Sequence, residues 1–442
     1  MNHFDEQKVK EKFLNGNTKK FHDFITNYDD QMVSVMKEQG YTYVHSTERT
    51  VVFTFGEMTF KRRRWKKGNE WKVPVDEKLG LEKNVRFSYE FMYQIARLST
   101  MMPYDKVTQV INLTYQVYIT KPTVVKAVKL CGKLLKEKED YQYFKEEVEV
   151  QKIKADVIYI EGDGVMVKAR DKTEDNRNYE LAHFVVHTGS KEVSKARFKL
   201  QEKKEFVSLS NSLARKTLTD YLYNHYEVNE NTLLISNSDG GKGYTPYVFK
   251  EVAQTLGIKR HEHFWDEYHL NKLIKDYFKQ YSHELVEKVF QAIETHDKAQ
   301  LRLVFDTTES MITSEEEIEE FRVFKKRLLN NFQYTKPAKL RNLSHAGIGV
   351  MESQHRKITY RMKKRGMYWT KLGIETMSKM IVLVYEDELR DLFFGSWREE
   401  YEKIQETNKL SAAQARKQDG AGRRHEIASG NLLIEWRWGK KR

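Results

Sequence analysis

The 442-residue chain holds one cysteine, Cys131, and only five prolines. A single thiol excludes an intramolecular disulfide and any zinc ribbon built on paired thiolates. Cys131 lies in the apolar, helix-like stretch VVKAVKLCGKLL and reads as a small core residue. Long hydrophobic runs are missing too: nothing nears the roughly 18 residues that a membrane span needs, and the longest candidates, such as MIVLVY at 380–385, are short. The N-terminus, MNHFDEQKVK, is charged from its fifth residue and does not read as a secretory signal. With a mean hydropathy of −0.74, the expectation is a cytoplasmic protein with no membrane partner.

Charge is not balanced between the signs. Lys and Arg number 77 against 64 Asp and Glu, a net charge of +13. A surplus of this sign fits a polyanionic partner without separating DNA from RNA or a membrane surface. The distribution is more specific. Residues 61–67 read KRRRWKK, in which Arg62, Arg63, Arg64, Lys66 and Lys67 join Lys61 around one indole. Such a cluster can neutralise phosphates, although a solvated edge strand has the same appearance. Residues 405–442 carry nine Lys or Arg against four Asp or Glu and read as a basic tail ending in WRWGKKR.

Hydrophobic periodicity divides the chain into six parts. Residues 1–83 pair an amphipathic helix with a small β element, since VVFTFGEMTFKRRRW alternates with period two around a glycine turn. Residues 84–150 return to helical spacing. Pro103 and Pro122 separate segments at 86–98, 104–113 and 123–135, and this suits a helix-turn-helix-like DNA-binding region whose last helix enters a major groove. Residues 151–265 show strands at ADVIYIEGDG, MVKAR, ELAHFVVHTGS and ARFKL, then a helix over 205–223. The strand TLLISNSDGG, a helix over 245–256 and a strand at 258–264 follow. This β-β-β-α-β-α-β succession is that of an RNase H-like mixed-sheet α/β core. Residues 266–343 are almost wholly helical, an insertion before the last core helices at 344–404.

Two acidic residues occupy equivalent places in this core. Asp163 ends VIYIEGDG and Asp239 ends LLISNSDGG, each followed by glycine. Strand ends that open on a common crevice are where α/β sheets build their sites. Glu352 stands on a helix in GIGVMESQHRKITYRMKKRG, with His355 and Arg356 on its face. Three carboxylates suit two Mg²⁺ (or Mn²⁺) ions, hard cations that prefer oxygen, and two such ions catalyse in-line phosphoryl transfer. Glu161, two residues before Asp163 on the same strand face, is either its rival or its supporting neighbour. Arg356, Arg361, Lys363 and Lys364, on or just after the Glu352 helix, suit the phosphates of a bound strand.

The ordered set GDG at Asp163, SDGGKGY from Asp239, WDEYH at 265–269 and GVMESQHRKITYRMKKRGMYW from Gly349 resembles bacterial insertion-sequence transposases of the ISLre type, relatives of the Mutator-like DDE transposases. The likeness runs over nearly the whole chain, including FGEMTFKRRRW. It implies an Asp-Asp-Glu triad at Asp163, Asp239 and Glu352, and a (C/D)xxH motif at Asp266 and His269 that orders the DNA or the triad. It also implies hydrolysis at the ends of an element, then attack of the freed 3′-hydroxyl on target DNA. The implied partners are double-stranded DNA, as terminal inverted repeats and target, and a second copy of the chain to bring two ends together. A nuclease without transposition, or a DNA-binding regulator on the same core, shares most of these features.

Overall fold

The computed structural model describes residues 4–144, 151–170, 177–195, 197–343 and 347–407. Of the basic tail at 405–442, all but the first three residues lie outside this description. The protein is a mixed α/β structure.

Helix α1 (Glu6–Glu38) starts at Asp5, whose side chain accepts the Lys8 amide. An antiparallel sheet follows, β1 (Thr42–Phe53), β2 (Gly56–Lys67) and β3 (Glu70–Lys72), and then the short α2 (Pro74–Lys78). Alternation along β1 and β2 turns Val51, Phe53, Met58 and Phe60 toward Ile25 of α1 and Val75 of α2. Helices α3 (Tyr89–Ser99), α4 (Tyr104–Tyr115) and α5 (Lys121–Phe144) come next. They match the three expected segments, except that α5 runs nine residues further. Pro103 and Pro122 stand just before α4 and in the first turn of α5, where a missing N–H costs nothing.

The next elements are β4 (Ile153–Lys154), β5 (Val157–Lys168), β6 (Asn178–His187), β7 (Gly189–Ser194), β8 (Arg197–Gln201), β9 (Lys204–Ser208), α6 (Asn211–His225), β10 (Tyr226–Glu227), β11 (Leu233–Ser238), α7 (Pro246–Thr255) and β12 (Arg260–Trp265). The central five-stranded sheet has the order β12-β11-β5-β6-β9. Strands β5, β11 and β12 are parallel, while β6 is antiparallel to β5 and β9. Three sequence expectations change here, the first being that ADVIYIEGDG and MVKAR, placed as separate strands, run together as β5. ARFKL, placed as a core strand, pairs with β7 in a separate ribbon. Residues 205–208, placed at the start of a helix, belong to the edge strand β9. Pairing with β6 makes them a strand that buries Phe206 and Val207 on opposite faces, and Ser210 accepts the Leu213 amide to start α6 only at Asn211.

Helices α8 (Glu267–Phe278), α9 (His283–Glu294), α10 (Lys298–Glu309) and α11 (Glu315–Asn330) form the inserted bundle, with its own core around Phe278, Val289, Phe305 and Phe321. Helices α12 (Met351–Met362), α13 (Lys371–Tyr385) and α14 (Leu389–Phe394) follow, and the described residues end in a further helical stretch at 397–407. One face of the sheet packs Ile158, Ile160 and Phe184 against α6 and α7. The other presents Val165, Val167 and Leu181 to a core shared by α3–α5 and α12–α14, in which α12 and α13 lie against β5 and β9 while α3 and α5 pack on α13 and α14. Cys131 is fully buried in this core, and burial pushes its thiol up. Each large apolar side chain enclosed here contributes about 1.5–3 kcal/mol. Among the described residues no helix is long and apolar enough to cross a membrane.

Candidate active site

Asp163 and Asp239 lie just past the paired stretch of β5 and β11 and meet in one cleft. Glu161 of β5 lies opposite Asn237 of β11, and each aspartate follows two residues later. Asp239 leaves its strand at a turn that Gly240 completes with φ +71°, a region that strongly favours glycine. Asp163 does not end its strand. Pairing with β11 stops at Glu161, but β5 runs on to Lys168 against β6, with Asp163 opposite His183. Gly162 is needed for closeness rather than for a turn, because a Cβ there would lie 2.6 Å from the Phe184 ring.

Asp163, Asp239, Asp266, His269 and Glu352 all line one cleft of about 900 Å³. Burial pushes the Asp163 carboxyl up to about 6. The Gly164 amide, 2.7 Å from Oδ1, and His269 oppose the rise, while the charges of Asp239 and Asp266 add to it. The Asp239 carboxylate accepts the Gly241 amide at 2.8 Å. Glu352, in the first turn of α12, is exposed on the cleft rim. Among the described residues, no three His, Cys, Asp or Glu side chains close into a ready metal-ligand cluster.

Glu161 stands behind these groups, fully buried. Its carboxylate accepts the backbone amides of Gly349 and Val350, each at 3.1 Å, and so caps the start of α12. Burial pushes its carboxyl up against those bonds. The Asn237 amide joins the two halves of the site, donating to Glu161 at 3.2 Å and to Asp266 at 3.1 Å. Asp266 caps α8, accepting the His269 backbone amide, and lies 2.8 Å from Nδ1 of the His269 ring. Burial acts to raise Asp266, but the bonds from His269 and Asn237 outweigh it and hold this carboxyl low. The same bond from Asp266 raises His269, with Asp163 and Asp239 adding their fields. From the inserted bundle, Arg327 donates to the Asp239 carbonyl at 3.3 Å and lies over Trp265.

A second buried network lies behind Asp163. His355 Nδ1 is 3.6 Å from Asp163, and its ring stacks on His183. His183 pairs with Glu205 at 2.9 Å, and Lys203 and Lys357 bond the same carboxylate. Burial acts to raise Glu205, yet His183, Lys357 and Lys203 hold it well below the usual carboxylate range. Sequence reasoning missed this network because Lys203 and Glu205 fell at a misplaced strand-helix boundary. It also missed Asn237, although a polar residue two before Asp239 on the same strand face was a usable signal.

The cationic candidates divide. Arg361 is buried rather than facing phosphates: its Nε donates to the Ser99 carbonyl at 2.7 Å and it packs by Trp369 and Tyr104. Nine residues past Glu352 is about two and a half helical turns, the opposite face. Arg62 is likewise enclosed, bound to Asp76 and Thr47, and Arg63 pairs with Asp29 and Asp30. Trp65 is core. Arg64 and Lys66 lie over Trp71, and Lys67 donates to the Gln39 carbonyl. Arg356, Lys363 and Lys364 are exposed.

A mixed α/β chain with a carboxylate-lined cleft is thus defined. It belongs to the Uncharacterised protein family (UPF0236), whose pattern it matches over residues 5–399. The UPF0236 protein in vanSb 3′region of Streptococcus gallolyticus is 31% identical over 380 residues, covering 85% of this chain and 80% of that one. Among solved structures, the Drosophila P element transposase strand transfer complex aligns with 72% of this chain and 84% of its own, at 11% identity and a TM-score of 0.23.

Proposed function

We propose that the chain is a DNA transposase built on an RNase H-like core, with Asp163, Asp239 and Glu352 as its catalytic carboxylates. The observation that carries this reading is that Asp163 and Asp239, each two residues past the last paired position of the adjacent parallel strands β5 and β11, line one cleft at a sheet ordered β12-β11-β5-β6-β9. A purely structural role gives no reason to crowd acids whose mutual charge raises one of them.

The donor set fits hard divalent ions. It is all oxygen, and the repulsion between Asp163, Asp239 and Asp266 is the kind that a cation relieves. Asp163 and Asp239 would hold two Mg²⁺ or Mn²⁺ ions, with Glu352 joining from α12. Such ions supply charge neutralisation at the phosphodiester and activation of the attacking water or 3′-hydroxyl. The chain's own residues do the rest. Glu161 holds the head of α12 and so sets where Glu352 stands. Asn237 aligns Asp266, and Asp266 orients His269 at the cleft and raises its pKa, which favours the imidazolium form that suits a phosphate oxygen. The partner is double-stranded DNA, first as element ends and then as target, engaged by a dimer or higher oligomer that holds two ends at once. Lys126, Lys129, Lys133 and Lys136 form an exposed stripe on α5 that suits backbone contact.

The test uses DNA carrying the sequences that flank the gene, with Mg²⁺. Nicking at the element boundary and joining of pre-cut ends to a target plasmid are expected. Asp239→Asn should abolish both, by at least 10³-fold in rate, while leaving end binding in place. Wild-type protein that neither cleaves nor joins DNA with Mg²⁺ or Mn²⁺ would sink this reading; nicking without joining would leave a nuclease.

A further inference from the structure

Helix α12 and strand β5 run side by side away from the cleft, and Trp369 ties their far ends. Its amide donates to the Lys168 carbonyl at 3.0 Å, and its indole donates to the Met362 carbonyl at 3.1 Å. Asp163 lies five residues before Lys168 on the strand, and Glu352 ten before Met362 on the helix. Whatever leaves the cleft along this pair passes the outer face of α12.

That face has a definite composition. Arg356, Tyr360 and Lys363 stand four, eight and eleven residues after Glu352, within a sector of about 80°. All three are exposed, as is Lys364. Successive positions four apart are about 6 Å apart along the axis. Tyr360 is 58% exposed, and the Arg365 guanidinium lies 4.5 Å from its centroid. A second pair repeats the theme at the end of β5, where Lys168 lies 5.6 Å over the half-exposed Tyr368. Among the described residues, Arg356, Lys363, Lys364 and Arg365 have no carboxylate partner. This contrasts with Lys357 and Arg361 on the inner face of the same helix, which are bound by the fold.

Cations alone would suit any polyanion, but exposed rings among them suit one whose bases are free to stack. Bases within a duplex are stacked on each other and offer only edges, whereas unpaired bases offer faces. We infer that the outer face of α12, with Tyr360 as its stacking platform and Tyr368 beyond it, is a track for unpaired DNA next to the bond being cut. This inference rests on the function proposed above and adds the form of the substrate: a strand separated from its complement at the cleft exit.

Fluorescence anisotropy with end-labelled oligonucleotides, run without divalent ions, tests it independently of cleavage. The probes are a blunt duplex, the same duplex with a 3′ single-stranded tail, and the tail alone. Tyr360→Ala should weaken binding of the tailed and single-stranded probes by roughly tenfold and leave the blunt duplex unchanged, while Tyr360→Phe keeps wild-type affinity. The ring is exposed, so an unchanged melting temperature is expected for both variants. Equal loss on blunt and tailed probes would make the face a duplex track and overturn the inference, as would no loss on either. If the wild type cleaves DNA with Mg²⁺ but shows one of these outcomes, only the track falls. Failure to bind any probe would overturn both readings.

Discussion

Two segments hold many of the chain's cations, β2 and α12, and the fold treats them differently. In β2 the run KRRRWKK is the densest positive charge in the sequence, yet Arg62 and Arg63 are answered by Asp76, Asp29 and Asp30, and Trp65 is core. In α12 and its C-terminal extension the cations are fewer per turn and sorted by face. Lys357 and Arg361 are bound inside, whereas Arg356, Lys363 and Lys364 stand outside and form no ion pair among the described residues. Density of charge therefore does not tell which cations the fold pairs. What matters is whether the fold supplies a counter-charge, and on a helix that is decided by angle.

Removing the acids on the bound side should give the largest effects. Glu205→Ala leaves Lys357, Lys203 and His183 around an empty place, and a loss of about 3–5 kcal/mol in urea unfolding is expected. The pH dependence sharpens this. The folded-state value of Glu205 lies below the unfolded one, so its contribution is present above the ordinary carboxylate range and drains as pH falls below about 4. Acid destabilisation below that pH should be steeper in wild type than in Glu205→Gln; parallel curves would show that the carboxylate does not carry the network.

Asp76→Ala comes next. It strands Arg49 and Arg62, whose side chains are only 9% and 13% exposed, and a smaller loss of about 2 kcal/mol is expected by thermal or urea unfolding. An Asp76→Ala protein of unchanged stability that bound DNA more tightly would break the comparison, since β2 would then be an interface held in reserve.

The smallest stability effect belongs to the outer face of α12. Lys363→Ala with Lys364→Ala should change unfolding by no more than about 0.5 kcal/mol. Binding to DNA should nevertheless weaken, with the slope of log K against log salt falling by about one for each lysine that meets a phosphate. An unchanged slope would place the DNA elsewhere.

Much of this architecture was legible in the sequence because it rests on periodicity. The succession of strands and helices in the central sheet, the helical insertion and the breaks at Pro103 and Pro122 all follow from local pattern. So does the place of Asp239, where an apolar strand ends in acid and glycine, whereas Asp163 carries the same motif on a strand that runs on to Lys168. Less legible was whatever depends on a distant partner. Residues 204–208 have no strong strand signal of their own and become β9 through pairing with β6. Glu161 looked like a rival to Asp163, and only the approach of Gly349 and Val350, nearly 190 residues later, makes it a cap. Arg361 could have been set aside from its helical angle alone, while Arg62 could not, since Asp76 had to be brought beside it.

Helix α12 is supported like a beam at both ends: the Glu161 carboxylate grips its first turn and the Trp369 indole its last. A beam held at one end swings, and one held at two can only bow. The two loads on it, the acid at the cleft and the tyrosine beyond, therefore answer to different supports. Loosening the head displaces Glu352 most, and loosening the tail displaces Tyr360 most, so breaking the bond and guiding the strand are mechanically separable duties of a single twelve-residue helix.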